Sequence, residues 1–215
     1  MPAPVTAEAV LEYMTTPGLG HDIPALVARY RQISVEQPRL FAAPAEDRIL
    51  AKLVWPLRHA KASYVAGNFL GTVSLCGMVA EMVAILIFET SDVRVNGAPM
   101  DKAMQASVFG SAFEKLGQER RVAVLRAYKL IDARHVTAFD SLRLVRRRYL
   151  HLWSQNHDSL PQDAIKAFLA AMQLVVAVIG HGVATGGRLQ LTPTIARYLA
   201  RTPNAAHEDD NEPRE

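Results

Sequence analysis

Arg143-Leu144-Val145-Arg146-Arg147-Arg148-Tyr149-Leu150-His151-Leu152-Trp153 reads as one helix with two unlike faces. At about 100° per residue, Leu142, Val145, Tyr149 and Leu152 share one stripe. Asp140, Arg143, Arg147, His151 and Ser154 share the opposite stripe, and Arg146 lies at the border. The apolar stripe has to be covered, so the stretch predicts a helix packed on one side against a helical core. On the other side the guanidinium groups repel one another, and water or a negative partner such as a carboxylate, a phosphate or RNA must relieve them. Arginines alone fit the solvated face of an amphipathic helix equally well, and it is the histidine at this spacing that raises a functional reading.

The chain has 215 residues, of which 50% are apolar, enough for one domain with a sizeable core. Cys76 is the single cysteine, which excludes an intramolecular disulfide and a cysteine-based zinc site and suits a reducing cytoplasm. The beginning, MPAPVTAEAVLEYM, has neither a basic leader nor an apolar core, so no signal peptide is expected and the expected location is cytoplasmic. Residues 203–215 carry five acids against Arg214, leaving 23 bases and 16 acids in the rest of the chain. A body of charge +7 with an acidic tail permits an RNA or phosphate partner without requiring one.

Outward from the arginine stretch, helical spacing and stop signals place the other elements. A short helix is expected over 7–15, a second over 22–36 with Asp22 as cap and Pro24 in its first turn, and a third over 48–53, where Pro56 marks a kink or a restart. One long helix is expected over 57–89. It is free of charge between Lys61 and Glu81, which makes it the one serious transmembrane candidate. Its Asn, Ser, Thr and Gly residues, and Glu81 within the apolar run, favour instead the central helix of a soluble bundle, with Gly67, Gly71 and Gly77 admitting close neighbours. Val93 and Val95 beside Asn96-Gly97 fit a short hairpin. Helices over 100–109 and 118–128 follow, with residues 113–116 leading into the second. Asp132 is then the N-cap of the arginine helix, expected over 133–154. A strongly apolar helix over 162–180, a short one over 191–199 and a disordered tail beyond Thr202 complete the reading. The expected fold class is all-α, an antiparallel helical bundle of four or five long helices with extra terminal helices.

Several chemistries are excluded. The sequence holds no glycine-rich phosphate loop, no Gly-x-Ser-x-Gly elbow and no His-Glu-x-x-His, and Cys76 falls in the most apolar segment, where a thiol is a core residue. His59, His135, His157 and His181 have no neighbour at metal-ligand spacing, so no metal and no cofactor is expected.

Arg146, four intervening residues and His151 resemble the signature of the HEPN superfamily, an Arg and a His separated by four to six residues on a helix of a four-helix bundle. The resemblance extends to Tyr64-Val65-Ala66-Gly67-Asn68-Phe69-Leu70 with Val79-Ala80-Glu81, which is similar to the first long helix of bacterial HEPN-like domains related to the mannitol operon repressor. Phe113-Glu114-Lys115-Leu116, Leu125, Leu130-Ile131-Asp132 and Ser141-Leu142-Arg143 are similar to their approach to the motif helix. It covers about 57–179, and where the family usually carries Asn or another small polar residue after the Arg, this chain has Arg147.

The resemblance implies a HEPN-like core, placed over 57–185, while helical spacing and composition add N-terminal helices over 1–56 that pack on it, a short C-terminal helix over 186–202 and an acidic tail over 203–215, which the resemblance leaves unexplained. It implies metal-independent cleavage of RNA, of the toxin or phage-defence kind, at a site shared by the two copies of a homodimer. Arg146 and His151 would be catalytic, Arg143, Arg147 and Glu81 would bind RNA or support the site, and an antitoxin or other protein would be a possible partner, with no membrane involved. The other function open to this fold is a non-catalytic regulatory or interaction module. The residues themselves leave a plain structural alternative, in which Arg146 pairs with Glu81 and His151 caps a packed helix. On either reading Glu81 is expected to be buried and paired with an arginine of the motif helix.

Overall fold

The computed structural model describes residues 23–34, 49–151, 156–179, 183–184, 188–189 and 192–201. The helix expected over 7–15, the Asp22 cap, the arginine helix beyond residue 151 and the acidic tail lie outside the described residues. In chain order the elements are α1 (Ile23–Ser34), a π-helical turn (Leu50–Val54), α2 (Trp55–Val65), α3 (Phe69–Thr90), β1 (Arg94–Val95), β2 (Ala98–Pro99), α4 (Lys102–Phe109), a 3-10 turn (Phe113–Lys115), α5 (Gln118–Ala127), α6 (Ala133–His151), α7 (Leu160–Ile179), β3 (Val183–Ala184), β4 (Arg188–Leu189) and α8 (Pro193–Arg201). The chain is an all-α helical bundle, with two hairpins of two-residue strands among the described residues.

The helix expected over 57–89 is in fact two. Gly67 takes φ +84°, a conformation that side chains disfavour, and Asn68 caps the next helix by accepting a hydrogen bond from Gly71 N–H at 2.8 Å. The hydropathy pattern is continuous across this break because both helices face the same core, so periodicity alone hides it. Thr72 Oγ1 donates back to the Ala60 carbonyl at 3.1 Å, and the Tyr64 and Phe69 rings lie 5.1 Å apart, closing α2 and α3 into a hairpin. Gly71 therefore makes room for its own cap, since a Cβ there would meet the Asn68 side chain, whereas Gly67 lies against the Arg29 guanidinium of α1 and Gly77 against the Arg146 stem of α6. Before α2 the wide turn gives way to α-helix at Pro56, which has no N–H to give the Lys52 carbonyl.

Helix α3 is the axis of the bundle, packed chiefly on α7 and α2 and then on α6. Of its residues only Ser74, Met78 and Glu89 are exposed. Ala80 and Ala84 on α3, and Ala164, Ala167 and Ala171 on α7, are buried, which lets these two helices approach closely. At the far end of α3, Phe88 stacks on Phe113 with centroids 4.0 Å apart, and Phe109 meets both edge-on. The hairpin read from Asn96-Gly97 forms, with both residues at positive φ, whereas the β3–β4 pair had no counterpart in the sequence reading.

Both α3 and α7 are long and apolar enough to cross a membrane by length and composition, while the sequence reading singled out only the first. In each, 50% of the most apolar window is buried against other helices of the chain, as in the core helices of a bundle.

The α2–α3 break makes a measurable claim. Asn68→Ala removes the cap and should destabilise the fold by about 1 kcal/mol in urea denaturation; an unchanged midpoint would show that Asn68 does not hold the second helix.

Candidate functional site

Where α6 crosses α3, Gly77 leaves a groove that the stem of Arg146 fills. A Cβ at residue 77 would lie 2.7 Å from Arg146 Cδ, so no larger residue fits without moving the arginine. Arg146 thereby reaches the next turn of α3 and donates from Nη1 to Glu81 Oε1. The other carboxylate oxygen, Oε2, takes Arg121 Nη1 of α5 at 3.5 Å. Arg121 is buried, and it also donates to the Phe113 and Glu114 carbonyls. The Glu81 side chain keeps 28% of its exposure, so it is half-buried rather than buried, and two guanidinium groups from different helices neutralise it. The expected partner Arg146 is present, and Arg121 is a second one that sequence reasoning missed.

Around this pair lies a cleft of about 380 Å³, lined by Gly77, Ala80, Glu81, Gln118, Leu142, Arg143, Arg146 and Arg147. Arg143, read on the polar stripe that needs water or a negative partner, is half-buried in the cleft and donates to Glu119 Oε2 at 3.2 Å and Asp140 Oδ1 at 3.5 Å. Arg147 is exposed and has no ion-pair partner among the described residues. Four buried polar atoms of the lining have no hydrogen-bond partner: Nε of Arg143, Nε of Arg146, and both Nε2 and Oε1 of Gln118.

Tyr149 and Arg148 tie the end of α6 to α7. Tyr149 Oη donates to Asp163 Oδ2 at 2.8 Å, Arg148 Nη1 reaches the same oxygen at 2.9 Å, and Lys166 Nζ lies 3.3 Å from Oδ1. Burial by itself raises the Asp163 carboxyl, but the Tyr149 hydroxyl, Lys166 and Arg148 outweigh it and hold it below the ordinary carboxylate value. Burial and the bond to Asp163 push the Tyr149 phenol up. At the opposite end of α6, Asp132 caps the helix as expected, accepting from the Arg134 and His135 N–H groups, and these bonds lower its carboxyl. His135 therefore has a helix-end role, bonded to Asp132 at 2.7 Å.

The structure thus brings Arg143, Arg146, Arg147 and Glu81 together at one cleft. His151 is the last residue of α6, one turn along the backbone from Arg147, and its side chain lies outside the described residues. Leu142 and Tyr149 of the apolar stripe are buried. Gln118 and Arg121 were missed, although both stand at helical spacing with the buried Val122 and Leu125; polar residues on an inward stripe were the available signal. Burial pushes the Cys76 thiol up to about 12, consistent with a core role. Among the described residues no three His, Cys, Asp or Glu side chains gather as metal ligands. No family model matches the chain, and comparison with curated proteins and with solved structures returns no match.

Two tests follow from this geometry. Gly77→Ala should push Arg146 out of its groove and cost about 1–3 kcal/mol in denaturant unfolding, as overpacking usually does; a stability within error of the parent would mean the groove is not needed. The lowered Asp163 carboxyl contributes stability that is complete above the ordinary value of about 3.9 and is lost as pH falls through its lower folded value. Asp163→Asn should therefore flatten the acid limb of the stability–pH curve while lowering stability at neutral pH, and an unchanged acid limb would show that other carboxylates control it.

Proposed function

We propose that the protein is a HEPN-like ribonuclease that cleaves RNA without a metal at a site shared by two copies of the chain. The observation that supports this reading is the cleft lined by Arg143, Arg146 and Arg147, the last of them exposed and without a counter-ion among the described residues. A phosphodiester supplies the negative charge that the exposed Arg147 guanidinium lacks. In the reaction, a ribose 2′-oxygen attacks the adjacent phosphorus, its proton passes to a base, and the departing 5′-oxygen takes a proton from an acid. The products are a 2′,3′-cyclic phosphate and a 5′-hydroxyl. His151, whose ordinary pKa lies near neutrality, serves as base or acid, and Arg146 and Arg147 stabilise the charge that builds on the phosphate oxygens. One chain supplies one such histidine, so two copies across a two-fold axis supply the acid and the base together.

A second reading has its own support. Arg146 already spends one of its nitrogens on Glu81, as a structural ion pair would, and the bulky Arg147 stands where the family usually has a small polar residue. On that reading the bundle is a non-catalytic regulatory module, and the cleft receives an acidic partner such as an antitoxin.

RNA cleavage by the purified protein, in chelator, decides between them. His151→Ala should lower the rate at least about 100-fold with folding and dimerisation intact. Arg147→Ala should weaken RNA binding and reduce the slope of log affinity against log salt by about 1, and Arg147→Asn should keep or raise the rate. Intact RNAs after incubation with the dimer, or an equally fast His151→Ala variant, would reject the ribonuclease and leave the regulatory module.

A further inference from the structure

Helix α1 turns much of its apolar surface away from the bundle. Of its large apolar residues only Ile33 is buried, and Leu26 is half-buried. Ile23, Val27 and Tyr30, with exposures of 67%, 42% and 54%, fall within about 60° of one another around the helix and make one outward stripe. Polar groups take part of the side that meets α2. Arg29 Nε donates to the Val65 carbonyl at 2.7 Å, and the Gln32 carboxamide accepts from the Tyr64 hydroxyl at 3.0 Å. Helix α2 continues the surface, with Trp55, Arg58, His59 and Ala62 exposed along one side of it. Lys61 Nζ lies 5.0 Å from the centre of the Tyr30 ring and joins the two stripes. Single exposed apolar residues need no explanation, but an aligned set beside a half-exposed tryptophan marks a contact surface.

The charge of this surface narrows its partner. The described residues of α1, the π-helical turn and α2 include five bases, Arg29, Arg31, Lys52, Arg58 and Lys61, and no Asp or Glu. Arg31, Lys52 and Arg58 are exposed and form no ion pair among the described residues. A second copy of the chain would set like charges against one another across a two-fold axis. A nucleic acid would use the bases and the rings and leave Ile23 and Val27 in water. A lipid surface with acidic headgroups uses every part: phosphates meet the bases, the headgroup level suits Trp55 and Tyr30, and the acyl boundary takes Ile23 and Val27. We propose that α1 and α2 form a face that docks on an anionic lipid surface, lying at the headgroups without crossing the bilayer. This face shares no lining residue with the arginine cleft, so it stands independently of the RNA reading. It also leaves α3 and α7 in the bundle core.

The test is co-sedimentation of the full-length protein with vesicles of phosphatidylcholine, alone or mixed in equal parts with phosphatidylglycerol. The parent should bind the mixed vesicles at least about tenfold more tightly, with the margin shrinking as salt rises. Ile23→Gln combined with Val27→Gln should weaken that binding about tenfold while keeping its salt dependence, because aliphatic burial is lost and charge is not. Arg31→Gln combined with Arg58→Gln should weaken it about tenfold and flatten the salt dependence. Trp55→Gln repeats the apolar comparison on the other helix. All these side chains are exposed, so the variants should melt with the parent. Equal binding of the parent to the two kinds of vesicle, binding to neither, or binding unchanged by both double variants would overturn the proposal. Three other results would also overturn it by giving the stripe a different occupant. A dimer split by the Ile23 and Val27 changes would assign it to a second copy, and a lowered melting temperature in that variant would assign it to a segment of this chain. RNA binding that depends on Arg31 and Arg58, in a parent that ignores vesicles, would assign it to nucleic acid. Vesicle binding by a protein that leaves RNA intact would keep this proposal and reject the ribonuclease. His151-dependent cleavage by a protein that ignores vesicles would do the reverse.

Discussion

A carboxylate on the most apolar helix of the bundle is the constraint from which the site follows. Glu81 sits on α3 between Arg146 of α6 and Arg121 of α5, and each of those arginines reaches it from a helix that must therefore lie at a fixed distance and rotation. Arg121 is buried, so without Glu81 its charge would face only the carbonyls of residues 113 and 114. Breaking such a pair by removing one member is far more damaging than never having had it, because a desolvated charge is left behind. The three helices are thus coupled by an interaction whose value lies in orientation more than in net stability. The cleft is the space left between them.

Three arginines in succession serve three ends. Successive side chains on a helix diverge by about 100°, so Arg146 turns to α3, Arg148 turns to Asp163 on α7, and Arg147 between them faces outward. Counting the run as one basic patch overstates the charge open to a ligand. Of the three, Arg147 is the one left without an ion-pair partner among the described residues.

Much of this was legible in the sequence where a local signal existed. Asp132, Asn96-Gly97 and the apolar spacing of α3, α6 and α7 each specify their structure through nearby atoms, and the pairing of Glu81 with Arg146 follows from the isolation of one acid in an apolar run. The break at Gly67-Asn68 was hidden because two helices facing one core produce one unbroken hydropathy pattern. Helical angle places Arg143 opposite the apolar stripe and calls for water or a negative partner there, but the angle does not reveal that one partner is Glu119 of α5. Gln118 and Arg121 gave only the signal of polar residues on an inward stripe, because the cleft beside Gln118 and the Glu81 partner of Arg121 come from helices distant in sequence.

The seat that Gly77 provides for Arg146 ties the arginine run to a reading frame. A single residue inserted between Leu142 and Arg146 would rotate the rest of α6 by about 100° about its axis, leaving the groove at residue 77 to Val145 or the inserted residue, bringing Arg147 to Asp163 and driving Arg148 into the buried position of Tyr149. The composition of the helix would be almost unchanged, and so would its helical propensity, yet each arginine would inherit its neighbour's surroundings. The meaning of this stretch is therefore carried by phase. Chains that share the same count of arginines without sharing that phase would have a similar charge and a different cleft.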